Sequence, residues 1–566
     1  MTYLDYLMLI VYAAGMLLVG SILSRKNRST ADMFAVSKQS PWWLSGISAF
    51  MSAFSAGTFV VWGGIAYKEG AVAITILMTL GISSFIVGKF IAGKWAVLGI
   101  TTVGEYINLR FGKAAVLFYT WVGALFKFVA MSVALYSFST LLCSLIDLPE
   151  GNFLRDPITG KLAVTYACIL SGFLMLIYAV SGGLWAVLII DSIQFVVLMT
   201  TILFVVPLSF NEAGGMSHFF MSAPEGFLNL TNNKFTFLFF AGWIVIHVFK
   251  FGGEWVFIQR FLSVGSPKAA KKSSYLFGIL YLISPVFWML PPMIYRTVNA
   301  NVNAEQAYFV ACASVLPHGM MGLLLAAMFS SAASYIDGEV NVYAGAITDD
   351  IYKLHINPRA NEKQLLLVGR ISSFLIGCAI IGGAISIPYI GGAEEVILTI
   401  TSLLVVPMAL PVIWGLFFGK ITQEAVWYST ALSFLAAISI KFFLPQQSSS
   451  ALISLVIAHR QSFEVGIGVF VPFLVLLLFE STRKEIAAGF LKLQHLSKKT
   501  INSSSAVQFI FPARLMAISI GVLSALMFIL ALSARTKVLL LASFGLALGA
   551  ISMIIFYVIR TDKRKV

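Results

Sequence analysis

The chain has 566 residues, of which 59% are hydrophobic and 11% charged, with a mean hydropathy of +0.92, whereas a soluble domain carries roughly 25% charged residues. A water-soluble fold is excluded, and the apolar runs are long enough to cross a hydrocarbon layer that takes about 20 residues of helix. The net charge of +14 bears on topology and not on nucleic acid, because in a membrane protein what matters is which loops hold the basic residues.

Apolar runs bounded by turn signals and charges predict about fifteen spans in chain order: 5–24, 41–66, 71–96, 115–145, 163–182, 184–209, 236–258, 274–295, 306–346, 365–386, 393–418, 423–443, 463–480, 513–533 and 536–559. The first has Asp5 before it and Arg25, Lys26 and Arg28 after it, and reads as a retained helix with its N-terminus outside, not as a cleaved signal. Basic residues cluster on alternate loops and span ends: Arg25 to Lys38, Arg110 and Lys113, Arg260 to Lys272, Lys353 to Arg370, Lys420, Arg483 to Lys499 and the tail Arg560 to Lys565. The intervening loops hold one or two each, such as Lys68, Lys234 and Arg296. This bias predicts a multi-pass protein of the bacterial inner (plasma) membrane with a cytoplasmic C-terminus.

Spans two to six and seven to eleven form two blocks of five, and an odd block length makes the second enter with opposite topology, the arithmetic of an inverted repeat. The expected organisation is an extra N-terminal helix and loop (1–40), repeat one (41–210), repeat two (235–420) and additional C-terminal helices (421–566). The first span of each block is the most interrupted. Span two holds Gly46, Ser48, Ser52, Ser55, Gly57, Thr58, Gly63 and Gly64, and span seven holds Gly252-Gly253. Small residues let helices pack closely, but their coincidence in both blocks points to a midplane site of unwound helices, whose freed carbonyls hold a cation and whose freed amides hold a polar solute.

Ser40-Pro41-Trp42-Trp43 with Ser55-Ala56-Gly57-Thr58-Phe59 resembles the sodium/solute symporter family, which includes sodium-coupled sugar, proline and sialic acid carriers. Thr101 to Tyr106 with Arg110-Phe111-Gly112 looks like that family's loop after the third span. Tyr178 to Val187 with Asp191-Ser192-Ile193-Gln194 is similar to its glycine turn and Asp-x-x-Gln signature. Gln259 to Ser263 and Ala346 to Lys353 resemble the ends of its seventh and ninth spans. The resemblance covers roughly residues 1–420 and implies an all-α, five-plus-five inverted-repeat fold with about fifteen transmembrane helices and alternating access around a central site.

It also implies site residues. Carbonyls of the interrupted first core helix fall at Met51 and Phe54, and paired hydroxyls of the eighth core helix fall at Ser334 and Tyr335. The phenol departs from the family's small hydroxyl, and Ser331, just under a turn before Ser334, is positioned to supply the missing oxygen; each serine could equally bond back to its own helix. Asp191 reads as an acid of the sodium pathway or as a structural cap beside Gly182-Gly183. Solute contacts are expected from Ser52, Ser55, Thr58 and Phe59, and from Glu254 and Trp255, where sugar carriers show Asn-Gln before an aromatic and this chain reads Gly253-Glu254-Trp255.

Asp191, Asp337, Glu339, Lys127, Lys250 and Glu254 are the intramembrane charges, each expensive enough to be kept only where it is paired, wet or useful. Lys250 and Glu254, four apart, are expected to neutralise each other, with recognition of an ionised solute or proton relay by Glu254 the sharper alternative, while Lys127 snorkels or meets an acid. The four cysteines and six histidines are scattered without metal or catalytic spacing. The expectation is therefore a secondary carrier and not an enzyme, with sodium as coupling ion, a small polar organic solute and the bilayer as partners, and no obligate protein partner. Proton-coupled or ion-independent transport is the runner-up. A membrane solute sensor is disfavoured because the segments 480–512 and 560–566 are too short for a signalling domain, and a channel because no filter motif is visible.

Overall fold

In a computed structural model of the chain, the described residues are 2–24, 40–100, 103–178, 184–348, 352, 356–439, 460–482, 486–500, 510–533 and 537–562. Thr101-Thr102, Gly182-Gly183, Asp349-Asp350, Lys353 and the basic residues Arg25, Lys26, Arg28 and Lys38 lie outside them. Each of the fifteen predicted stretches contains helix, and among the described residues no strand forms, only isolated bridges such as Asp147 to Lys161.

The helices run α1 (Tyr3–Ser24), α2 (Trp42–Ser52), a π-helical turn (Thr58–Trp62) continuing into α3 (Gly63–Glu69), α4 (Val72–Phe90), α5 (Ala92–Val97), α6 (Val103–Phe111), α7 (Lys113–Cys143), α8 (Val164–Tyr178) and α9 (Leu184–Glu212). After α10 (Met216–Ser222) come α11 (Phe237–Gly253), α12 (Trp255–Leu262), α13 (Pro267–Val298), α14 (Ala304–Val315), α15 (Met320–Ala346), α16 (Glu362–Ser386) and α17 (Gly392–Phe417). The remainder is α18 (Gln423–Ile438), α19 (Arg460–Thr482), α20 (Ala488–Thr500), α21 (Ile510–Ser533) and α22 (Val538–Asp562). Among the described residues, ten helices are long and apolar enough to cross a membrane, and the bent pair α11 and α12 makes eleven. The expected spans not among them are 41–66, which a break divides, and 163–182, 423–443 and 463–480, whose described apolar stretches are shorter. One expected span is corrected: 306–346 is two helices, α14 and α15, separated at Leu316 to Gly319, where Gly319 adopts a positive φ of 90°.

The two blocks meet symmetrically where α4 packs on α13. Ser84 Oγ donates to the Ser274 carbonyl at 2.7 Å and Ser274 Oγ returns a bond to the Ser84 carbonyl at 2.8 Å. At Gly81 and Gly278 the backbones approach so closely that a Cβ on either would come within 2.8 or 3.0 Å of the other's carbonyl oxygen. Reciprocal pairs whose numbers rise on one helix and fall on the other mean antiparallel helices, as an inverted repeat demands.

Two polar staples fix the scaffold around this axis. The buried Arg110 guanidinium on α6 donates to the carbonyls of Gly415, Phe418 and Ile421 at 3.0 to 3.1 Å, occupying acceptors freed at the end of α17. Burial lowers its pKa from the usual arginine value, with Tyr106 and Glu480 opposing that shift. On α1, Asp5 is buried and its Oδ1 accepts from the Gly319 and Gly322 amides at 2.7 and 3.1 Å, capping the start of α15. Asp5→Ala is expected to lower stability by about 0.5–2 kcal/mol, the usual cost of a lost N-terminal cap, read as a lower melting temperature of the purified protein. An unchanged melting temperature would mean that the cap contributes nothing.

Candidate functional site

The first break is built by its own side chains. After Ser52 the helix stops, the Phe54 amide donates to the Met51 carbonyl at 3.0 Å, Ser55 N–H donates to Thr58 Oγ1 at 3.2 Å, and Gly57 N–H donates to Ser55 Oγ at 3.2 Å. The hydroxyls at 55 and 58 thus hold the unwound segment, while Ser52 bonds back to the Ser48 carbonyl at 2.8 Å. Phe59 is fully buried, packed against Phe54 and Tyr308 with ring centroids 5.0 and 4.3 Å away, so in this conformation it belongs to an aromatic plug.

The second break falls at Gly252-Gly253, as the interruption in span seven predicts. Here α11 ends, Glu254 is extended (φ −82°, ψ 136°), and α12 departs at 54°. A Cβ at Gly253 would lie 2.8 Å from the Ala409 carbonyl, so only glycine admits α17 this close. Each break has a carbonyl that receives an aromatic donor from the second span of the other block: Tyr281 on α13 bonds the Ala53 carbonyl at 3.2 Å, and Trp95 on α5 bonds that of Gly252 at 2.8 Å. These two residues were not singled out from the sequence, where nothing distinguishes them from other buried aromatics.

Helix α15 closes the first break. Ser331, buried, donates its hydroxyl to the Phe54 carbonyl at 3.2 Å, which brings together two of the expected sodium ligands from opposite repeats. Ser334 is half-buried on the same helix. The Tyr335 ring is 5.8 Å from the Lys127 ammonium.

Asp191 on α9 is buried. Ser48 of α2 donates to its Oδ2 at 2.6 Å, and Arg260 of α12 lies 3.9 Å from the same oxygen while donating to Ser48 Oγ at 3.3 Å. Arg260, counted above with the basic residues at span ends, is instead a buried partner of this carboxylate. The triangle joins α2, before the first break, to α9 and to α12, after the second.

The charge pairing of Glu254 also differs from expectation. Glu254 bonds Lys127 of α7 and not Lys250, and Lys127 also lies 2.7 Å from Glu339 of α15. Lys250, a turn earlier on α11, has no carboxylate within ion-pair distance among the described residues. The reason is geometric, since α11 ends at Gly253 and Glu254 leaves the helix face on which an i, i+4 pair would form. Trp255 follows it, half-buried, at the first position of α12. Among the described residues no cluster of three or more metal-ligating side chains is present.

Two interrupted helices, with the Phe54 carbonyl of the first break meeting the Ser331 hydroxyl of α15, suit a coupled carrier. The model of the Sodium:solute symporter family matches residues 34–432. The chain belongs to this family. It is 26% identical over 518 residues to the Sodium/glucose cotransporter of Vibrio parahaemolyticus, covering 82% of this chain and 91% of that one. It is likewise 26% identical over 401 residues to the Sodium/sialic acid symporter NanT of Aliivibrio fischeri, covering 66% and 74%. A solved structure of a Na+-coupled sialic acid symporter in a substrate-bound outward-open state is similar in fold, with a TM-score of 0.68 at 20% identity over 86% of this chain and 99% of that one. The symporter is therefore an all-α, multi-pass inverted-repeat membrane protein that couples solute transport to sodium, a transporter and not an enzyme.

Proposed function

We propose that sodium binds between the first break and α15, held by the carbonyls of Met51 and Phe54 and the hydroxyls of Ser331 and Ser334, with Asp191 on its pathway. The observation that carries this reading is the Ser331 to Phe54 hydrogen bond, which sets a side-chain oxygen beside a freed carbonyl at the junction of the two repeats. Hard oxygens of this kind suit sodium without burying a net negative charge. The solute, a small polar organic molecule, is held by Ser52, Ser55, Thr58 and Phe59 from the first break and by Glu254 and Trp255 from the second. Sugars and sialic acid, the solutes in the relatives' names, are the first to assay.

Residues 41–210 and 235–420 are the two repeats in this reading, and the protein lies in the bacterial inner membrane with its N-terminus outside and its C-terminus in the cytoplasm. Reporter fusions at Val566 and near Lys492 should both read cytoplasm, and a periplasmic signal at Val566 alone would remove one of the last two helices from the membrane. Uptake of a panel of radiolabelled sugars, sialic acids, amino acids, carboxylates and vitamins into proteoliposomes should depend on an inward sodium gradient for at least one solute. Uptake indifferent to sodium but driven by a pH gradient would defeat the sodium assignment.

A further inference from the structure

Lys127 stands at a junction that sodium ligation and solute contact do not by themselves require. It lies mid-way along α7, is largely buried, and meets two carboxylates from different helices: Glu254 in the second break and Glu339 on α15, the latter at 2.7 Å. The Tyr335 ring packs beside the same ammonium. Helix α15 also carries Ser331 and Ser334, so the lysine connects the helix proposed to ligate sodium with the broken helix proposed to contact solute. One side chain spans both.

The pairing is also unequal. Lys127 serves two carboxylates at once, and Glu254 has a second ammonium available in sequence, Lys250, which in this conformation makes no ion pair among the described residues. Glu254 is held across to α7 by Lys127, and pairing it instead with Lys250 of its own α11 would require the helix to continue through the break at Gly253, so the two arrangements differ in where α11 ends. In the observed arrangement Lys127 sits between Glu254 and Glu339 of α15. An element with two discrete arrangements, whose balance is set from one site and read at another, is the physical requirement for coupling.

The geometry points to Lys127 as the positioning residue that transmits sodium occupancy at α15 to the solute-binding break: sodium fixes α15, α15 fixes Glu339 and Lys127, and Lys127 holds Glu254 in place for solute. This rests on the sodium and solute placements proposed above.

The test uses the full-length protein in nanodiscs, with Cys378→Ser as background because Cys143, Cys168 and Cys312 are buried, and with Trp255→Cys as reporter of the second break. Alkylation of the reporter by a water-soluble maleimide is timed in sodium chloride and in choline chloride, and binding of radiolabelled sodium is measured on the same samples. With Lys127 present, sodium should change the alkylation rate by about fivefold or more, the lower end of ordinary site-to-site coupling. Lys127→Met should still bind sodium, yet its response should fall below about twofold, and Lys127→Arg, which keeps the cation, should recover most of the response. Should Lys127→Met not fold, Glu339→Gln takes its place, since it cuts only the link to α15, and the same loss is expected.

A full response in Lys127→Met or Glu339→Gln that bind sodium normally overturns the proposal, as does a reporter indifferent to sodium when Lys127 is present and sodium is bound. Failure of the sodium-site placement shows separately, as undiminished sodium binding in Ser331→Ala.

Discussion

Asp191→Ala is expected to give far less folded protein than the unmodified chain, and Asp191→Ala with Arg260→Met is expected to restore most of it. The carboxylate and the guanidinium are each 5% exposed, 3.9 Å apart, and joined through the Ser48 hydroxyl. Removing one partner of such a pair leaves the other as an uncompensated buried charge, at a cost of about 3–5 kcal/mol. Replacing both with apolar groups removes that penalty together with the bond, and is often close to neutral. Asp191→Asn keeps the shape and a hydrogen bond from Ser48, so its loss of folded protein should be smaller than that of the alanine variant. The same series separates scaffold from transport. If Asp191 lies on the sodium pathway, the double variant regains folded protein but not sodium-driven uptake. Full recovery of both would make the triangle purely structural.

Ser331→Ala should raise the sodium concentration for half-maximal uptake by at least several-fold, measured with a solute from the proteoliposome panel. Loss of one oxygen from the inner shell of an ion in a low-dielectric site costs on the order of 1–3 kcal/mol, which corresponds to roughly 5- to 150-fold in affinity. Because Ser331 already meets the Phe54 carbonyl, the alanine also leaves that carbonyl with one donor fewer when sodium is away. Part of the loss therefore falls on the empty state, which sets the estimate at the lower end of the range. Ser334→Ala should act in the same direction. Tyr335→Phe should change the sodium requirement little, since its ring packs beside Lys127. A large effect at Tyr335 with none at Ser331 would move the hydroxyl ligand from one to the other.

Hydropathy and turn signals place helix in each of the fifteen expected stretches, because a backbone in hydrocarbon has to satisfy its own hydrogen bonds and helix is the solution that apolar runs of this length allow; the short helices α6, α10 and α20 carry no such signal. The inverted repeat was legible for a related reason: block length is a matter of counting, and the breaks at Ala53 to Gly57 and Gly252-Gly253 are written in residues that do not sustain helix. The single span expected at 306–346 is two helices, its continuous apolar character hiding the turn at Leu316 to Gly319. Class, family, breaks and the set of intramembrane charges are therefore legible in the residues alone. The pairing of those charges follows from the packing of the helices. Glu254 is four residues from Lys250 but 127 from the Lys127 that it bonds, and Asp191 meets an Arg260 that stands near a run of loop lysines in the sequence. Pairing in a low-dielectric interior is set by distances across helix contacts, and these depend on where a helix breaks and by what angle it leaves, here 54° after Gly253, which no local spacing encodes.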